Sequence, residues 1–416
     1  LRFQFGSGRK PGGWPGLAGT PVPEISARPV SRLALVGADY PGLRPAFAVA
    51  EGEEVAAGQI LFTDRADPRV GVVSPAAGVV ESITQGPRRS LSELVIRVAE
   101  VPAPEVASVD TSSPAALRAA LLAQGLWPAF RARPFGGIPS PDAVPQAILV
   151  IATDSEPWAA DPRAVLAPLA DAFRRGVACL TLLTEGPVHL CQPAGEPLAA
   201  ASARVEVHDV GGPHPSGLAG ARIRVLHLSG VPVWTIGAQD VAAIGQLAAT
   251  GRADPERIVA LCGPRAMHPR LLRTLPGAAL RELTEGEETP GGAVRVLSGS
   301  PLSGRDAAWL ARGHRQVTLI DEPARRILPR WLARGTARPG ARPILPTRAL
   351  ETALPRGFLP VPLMRALAVG DVETAARLGA GDLIEEDVAL LSALCTSGAD
   401  YGALLRHVLD DLAANA

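Results

Sequence analysis

"EGEEVAAGQILFTDRADPRVGVVSPAAGVVESI", residues 51–83, is built as two similar halves. The first sets the apolar residues Val55, Ile60 and Phe62 among small and charged ones around Gly52 and Gly58; the second repeats the alternation around Pro75 and Gly78. Period-two alternation broken by glycine reads as short, half-buried strands joined by tight turns. The hairpin between the halves is "DRADPR", residues 64–69, and the one lysine of the chain is Lys10. An arginine guanidinium stays protonated and forms no amide bond, so this hairpin offers no amine for covalent loading.

The segment resembles a lipoyl- or biotin-carrier domain without its modifiable lysine. Upstream, "ISARPVSRLALVGADYPGLRPAFAV" (25–49) supplies strand-like runs leading into it. The first 25 residues are rich in Gly and Pro and read as an extended arm, with Phe3 and Phe5 as its strand residues. Downstream, a Pro- and Ser-rich connector at 101–114 precedes "SPAALRAALLAQGLW", in which Leu117, Leu121, Leu122 and Leu126 share one helical face and Ser113 is the candidate N-cap. A buried strand at 147–153, a helix at 164–175, a second strand at 178–183, and a strand followed by a helix at 239–250 ending at Gly251 predict an α/β layer with parallel pairing. Short apolar runs between 256 and 310 predict a small mixed domain, and the chain closes on a helical domain after a Pro- and Arg-rich connector.

At 416 residues the chain exceeds one ordinary core, and 47% apolar with 20% charged residues is a globular composition. Basic and acidic residues balance at 41 each, so no broad field favours nucleic acid or an anionic membrane surface. Cys179, Cys191, Cys262 and Cys395 lie far apart with no CxxC spacing, which speaks against a metal centre, an iron–sulfur cluster or a disulfide framework. No run approaches the roughly 18 apolar residues of a membrane span, and the N-terminus lacks an apolar signal core. A soluble chain on the cytoplasmic side, able to dock on a membrane complex, is the expectation.

Several strings, taken together and in order, are similar to the A-type subunit of the sodium-translocating NADH:quinone oxidoreductase. They are "LAGTP" (17–21), "GLWPAFRARPFGGIPSPDA" (125–143), "GGPHPSGLAG" (211–220), "ATGRADPERIVALCG" (249–263), "DLIEEDVAL" (382–390) and "YGALLRHVL" (401–409). The C-type subunit of the Rnf complex and the FMN-binding subunit of respiratory complex I are more distantly similar. The resemblance implies an α/β multidomain chain: an arm (1–25), a lipoyl/biotin-carrier-like β domain (26–105), a Rossmann-like α/β domain (106–255), an SLBB-type β-grasp domain (256–325), and a connector with a C-terminal helical domain (326–416). It implies a peripheral subunit on the cytoplasmic face of the bacterial inner membrane, supporting assembly and bordering a ubiquinone site. Its partners would be the membrane subunits, especially the B-type subunit that holds the quinone site, with no nucleic acid involved. No cofactor would be covalently bound, and NAD, FAD, FMN and iron–sulfur groups would sit on other subunits. The stretch at 328–359 departs from the family pattern.

Flavin-binding relatives carry a glycine-rich turn whose backbone amides cradle a phosphate. Here that place holds Trp127, Phe130, Arg131, Arg133 and Phe135 with Pro128 and Pro134, which block such a cradle. These five residues are the candidate quinone-binding set, arginines for a polar head and aromatics for a ring; the competing reading is a packed loop with internally paired arginines. No catalytic, cofactor-binding or metal-ligating residue is expected in this chain, and Cys395 alone cannot hold a four-iron cluster. His214, between two prolines, reads as part of a rigid turn before a proton shuttle. His208 and His227 show no partner at ligand spacing and read as packing or surface residues. Glu385, Glu386 and Asp387 read as the acidic first turn of a helix, and Cys262 as a buried small residue. Two rival functions remain: an independent flavin- or iron–sulfur-bearing protein of the Rnf type, and a biotin or lipoyl carrier.

Overall fold

A computed structural model describes residues 17–87, 90–99, 109–322, 343–355 and 357–415. Phe3, Phe5, Lys10 and half of the divergent 328–359 segment, residues 328–342 and 356, lie outside the described residues.

The 51–83 pattern folds as β4 (Glu54–Val55), β5 (Ile60–Asp64), β6 (Gly71–Val73) and β7 (Gly78–Gln85), together with β2 (Arg32–Val36), β3 (Pro45–Phe47) and β8 (Leu91–Val98). Two small antiparallel sheets, ordered β2-β8-β7-β4 and β3-β5-β6, close over Leu33, Val55, Leu61, Phe62, Leu94 and Ile96. The alternation fails in β5, and β7 carries a further register shift between Val80 and Ser82. A register shift between Ile60 and Phe62 turns both Leu61 and Phe62 inward and leaves Ile60 38% exposed. One extra residue in a strand reverses the facing of its neighbours, which a strict period of two cannot anticipate. The hairpin at 64–69 is tethered at its base: Arg69 donates to both oxygens of Asp67 and of Asp142, the latter at 2.8 and 2.7 Å. Asp142 belongs to the next domain, so the hairpin leans on a neighbour.

β1 (Ile25–Ala27) departs from the expected layout. The sequence divides its residues between arm and β domain, yet it pairs in parallel with β15 (Arg270–Thr274), Ile25 opposite Leu271. It thereby forms one edge of a six-stranded sheet ordered β1-β15-β14-β18-β16-β17, with β14 (Arg257–Cys262), β16 (Val294–Ser298), β17 (Arg305–Asp306) and β18 (Gln316–Asp321).

Between these lies a five-stranded sheet, β12-β11-β10-β13-β9. β10 (Ala147–Ile151), β11 (Val188–Pro193), β12 (Val205–Val210) and β13 (Val233–Gly237) run parallel, and β9 (Arg131–Arg133) is antiparallel to β13. The helices are α1 (Pro114–Ala123), capped by the Ser113 side chain, α2 (Pro162–Leu166), α3 (Ala170–Leu180), α4 (Ala219–Val225) and α5 (Ala238–Thr250), which ends at Gly251 with φ 76°. The strand expected at 178–183 is the end of α3 and the turn after it, and the strand follows at Val188–Pro193. Phe173, Val177, Leu180 and Leu183 are all buried, three or four residues apart, so the run carries helical spacing that its short length concealed. α3 and α5 approach through glycine: a Cβ on Gly245 would lie 1.8 Å from the Ala172 carbonyl oxygen, and one on Gly176 would lie 1.9 Å from that of Val241. Further helices at Arg348–Glu351, Pro360–Val369, Val372–Arg377, Glu385–Leu394 and Tyr401–Ala414 pack around Tyr401, Leu363 and Leu405. No helix among the described residues is long and apolar enough to cross a membrane.

Candidate functional site

In the five-stranded sheet the chain leaves β10 for β11 and β12 on one side, then crosses to β13 on the other. The loops after β10 and β13 therefore part in opposite directions, opening a crevice beyond the carboxyl ends of two adjacent strands. A cavity of about 240 Å³ occupies this place, with Ile151 to Asp154 from the first loop and Gly237 to Asp240 from the second. Ile236, Ile258 and Ile384 give it an apolar side.

Its charged side is mostly arginine. Arg315 lies 3.1 Å from Asp154, while Asp240 meets Arg257 at 2.8 Å and Arg312 at 3.5 Å. Arg131 is held by the carbonyls of Pro128 (2.8 Å), Phe130 (3.2 Å) and Asp39 (3.0 Å), and among the described residues it pairs with no carboxylate. Burial, helped by Arg312, brings its pKa down to about 10, so it stays a cation at neutral pH. Glu386 also lines the cavity, and burial with the neighbouring Asp387 raises its pKa. His314 is pushed down to about 4 by burial and the Arg305 charge, and its Nδ1 meets Ser298 Oγ at 2.7 Å, so it is neutral. Four guanidiniums against two paired carboxylates and one carboxyl inclined to hold its proton make a site for a group rich in acceptor oxygens.

A second cavity of about 270 Å³ lies between the N-terminal sheets and the end of α1, and Arg257 and Arg312 line it too.

Of the five sequence-based candidates, only Arg131 lines the first cavity. Trp127 and Phe130 are fully buried with Trp234, ring centroids 5.3 to 5.6 Å apart. Trp127 Nε1 donates to the Pro139 carbonyl at 2.8 Å, so its polar edge is already used. Arg133, 3% exposed, turns to the C-terminal helices, donating to the Asp382 carbonyl at 2.7 Å and facing Asp387 at 3.5 Å. Phe135 packs against the same helices. Asp154, Asp240, Arg257, Arg312, Arg315 and Glu386 escaped the sequence reading as site residues. The first two had a usable signal, since each follows a recognisable strand at its carboxyl end.

The other expectations divide. Glu385–Leu394 begins as read, with Asp387 accepting from the Ile384 amide at 2.9 Å and Glu385 bridged to Arg406 at 2.6 Å. Cys262 is buried, and His214 sits in a turn closed by Ser216 and Leu218 amides, its pKa lowered to about 4 by burial. His208 does have partners: His189 Nδ1 is 3.0 Å and Glu206 3.6 Å from its Nε2. The pairing of β11 with β12 makes this cluster, and strand register was not legible in the sequence.

Glu156, in the loop after β10, fastens this region to the six-stranded sheet by accepting from Ser300 (2.6 Å) and Ser303 (2.9 Å). Burial, reinforced by Asp154, lifts its pKa from an ordinary 4.5 to about 7. The folded chain then holds this proton more tightly than the unfolded one, so stability falls as pH rises from about 4.5 to about 7 and is level above. Glu156→Gln is expected to remove that share of the fall, on the order of a few kcal/mol, in urea-unfolding midpoints compared at pH 5 and pH 7.5. A fall of parental size in the variant contradicts the assignment.

Family models described as the NqrA N-terminal barrel-sandwich hybrid domain, the NqrA second alpha/beta domain and the NQRA C-terminal domain match residues 16–99, 112–253 and 258–308. The chain is 38% identical over 436 residues to the A-type subunit of the Na(+)-translocating NADH-quinone reductase of Neisseria meningitidis serogroup C, covering 95% of this chain and 97% of the relative. For the same subunit of Shewanella amazonensis the identity is 38% over 430 residues, covering 95% and 96%. A solved NAD+-reducing [NiFe]-hydrogenase is 16% identical with a TM-score of 0.40, covering 73% of this chain and 61% of that one, a likeness too slight to bear on fold or function.

Proposed function

Since the chain belongs to the family of the A-type subunit of the Na(+)-translocating NADH-quinone reductase, we propose that it serves as a peripheral subunit that supports assembly and borders the quinone site at the crevice beyond β10 and β13. It works on the cytoplasmic face of the bacterial inner membrane, against the membrane subunits and the B-type one in particular. NAD, FAD, FMN and iron–sulfur groups belong to those other subunits, and ubiquinone meets this chain near the shared interface. In this reading the barrel-sandwich domain is carrier-like and the α/β domain Rossmann-like, each keeping a scaffold whose usual covalent or flavin cargo is absent. The parallel order of β12-β11-β10-β13 supports the second label.

The observation that carries the proposal is Arg131, a guanidinium without a carboxylate partner among the described residues, facing an apolar-sided cavity. Quinone carbonyl oxygens accept from such a donor, and charge appearing on them during reduction strengthens the bond. A volume of about 240 Å³ falls below the roughly 300–1,000 Å³ of sites for larger ligands and suits one substituted ring better than a dinucleotide.

A photoreactive ubiquinone analogue applied to the intact complex is expected to label peptides of this chain containing Arg131 or the 236–240 loop. Arg131→Gln is expected to raise the quinone KM by about tenfold, the value of one charge-assisted hydrogen bond, with NADH oxidation by an artificial acceptor unchanged. Labels confined to other subunits, together with an unchanged KM, would overturn the reading.

A further inference from the structure

We propose that His189, Glu206 and His208 form a binding site for one divalent ion of the zinc class. His189 Nδ1, His208 Nε2 and one Glu206 carboxylate oxygen lie 3.0, 3.3 and 3.6 Å from one another. An ion about 2.0–2.1 Å from each of its ligands in a tetrahedron sets them about 3.3–3.4 Å apart, so the three atoms already stand close to one tetrahedral face.

The strands place them without strain. β11 and β12 are parallel with His189 opposite Glu206, and Glu206 and His208, two residues apart, share one face of the edge strand. Val205 and Val207 face the other way and pack into the main core of the domain. Side-chain exposure grades from 8% at His189 to 27% at His208 and 56% at Glu206, which gives the site a buried base and a solvent-facing mouth. That mouth leaves the fourth position to water or to a side chain of a partner.

The donor chemistry agrees. Burial lowers the pKa of His189, keeping its ring in the neutral form a metal requires. Cys191 stands opposite His208 in the register but packs into the apolar cluster of Leu149, Val210 and Ala219, and its sulfur is not among the three donor atoms that converge. Two imidazoles and a carboxylate suit zinc over softer copper(I) or harder calcium and magnesium. Among the described residues His189 Nε2 has no hydrogen-bond partner. Outer partners of this kind are worth roughly 10–100-fold in affinity, so this site binds its ion more weakly than one whose ligands are fully supported.

The test uses the full-length chain without a polyhistidine tag, stripped with a chelator and titrated with Zn2+ alone. One equivalent is expected to bind with a micromolar or lower Kd, and Co2+ in its place is expected to give the strong visible absorption of a four-coordinate ion. Glu206→Gln and His208→Asn, both on the solvent-facing side and safe for folding, should together weaken binding more than about tenfold and abolish the cobalt spectrum. A parent chain that takes up no stoichiometric zinc overturns the proposal, and so does a double variant whose Kd rises tenfold or less.

Discussion

Asp387→Ala is expected to destabilise the chain by about 3–5 kcal/mol, because it strands a buried cation. The Asp387 and Arg133 side chains are each 2% exposed, and the carboxylate also accepts from the Gly220 amide at 3.1 Å and the Ile384 amide at 2.9 Å. One residue thus joins β9, α4 and the start of Glu385–Leu394. Its loss leaves two amides without an acceptor and Arg133 with only the Asp382 carbonyl. Arg133 is already poorly satisfied, since its Nε and Nη2 find no partner among the described residues. The double variant Arg133→Met/Asp387→Leu should therefore be more stable than Asp387→Ala alone, although it removes more native contacts. Urea-unfolding midpoints for the three proteins decide the matter, with limited proteolysis reporting release of the C-terminal helices. An Asp387→Ala variant within about 1 kcal/mol of the parent would show that the pair contributes little.

Gly245→Ala is expected to cost about 3 kcal/mol or more, against the direction helix propensity predicts. Alanine at an exposed site within a helix gains about 1 kcal/mol over glycine. Here the new methyl would lie 1.8 Å from the Ala172 carbonyl oxygen and 2.6 Å from the Gly176 amide nitrogen. Both are backbone atoms of α3, so no rotamer change relieves the clash and the helices must separate. Overpacking wins over propensity. Because α5 begins at Ala238 and carries Gln239 and Asp240 into the cavity wall, the separation also displaces the acceptor of Arg257 and Arg312. A lowered Tm, with weakened quinone binding in the intact complex, is the expected pair of readouts. An unchanged Tm would mean that α3 and α5 can part at little cost.

What the sequence disclosed follows the range of each interaction. Ser113 capping α1 and Gly251 closing α5 are settled within a few residues, and both were legible. The 51–83 pattern announced its strands but not the shift at Ile60, which depends on the partner strand. The run at 178–183 misled because four to six apolar residues suit a strand as well as a helix end. At the candidate site, Arg131 stood out in a conspicuous string, whereas Arg257, Arg312 and Arg315 come from other segments and meet Asp154 and Asp240 only through the packing of two sheets. Trp127 and Phe130 looked like ring contacts because aromatic residues beside arginine describe a pocket and a core equally well. Only burial separates the two, and it is complete.

The strand Ile25–Ala27 sets an order of events. Its partner Leu271 lies about 250 residues further along, so at the usual pace of roughly 5–20 residues per second the ribosome needs about 10–50 seconds to deliver it. During that interval the barrel strands can pair locally and the α/β layer can collapse, while Ile25–Ala27 waits with its amides bonded to water until its neighbours in the six-stranded sheet, all beyond residue 256, are made. Closing so long a loop is entropically slow, and an unpaired strand is open to wrong pairing in the meantime. Refolding in dilute solution should accordingly show early barrel formation and a late step in which this strand is captured.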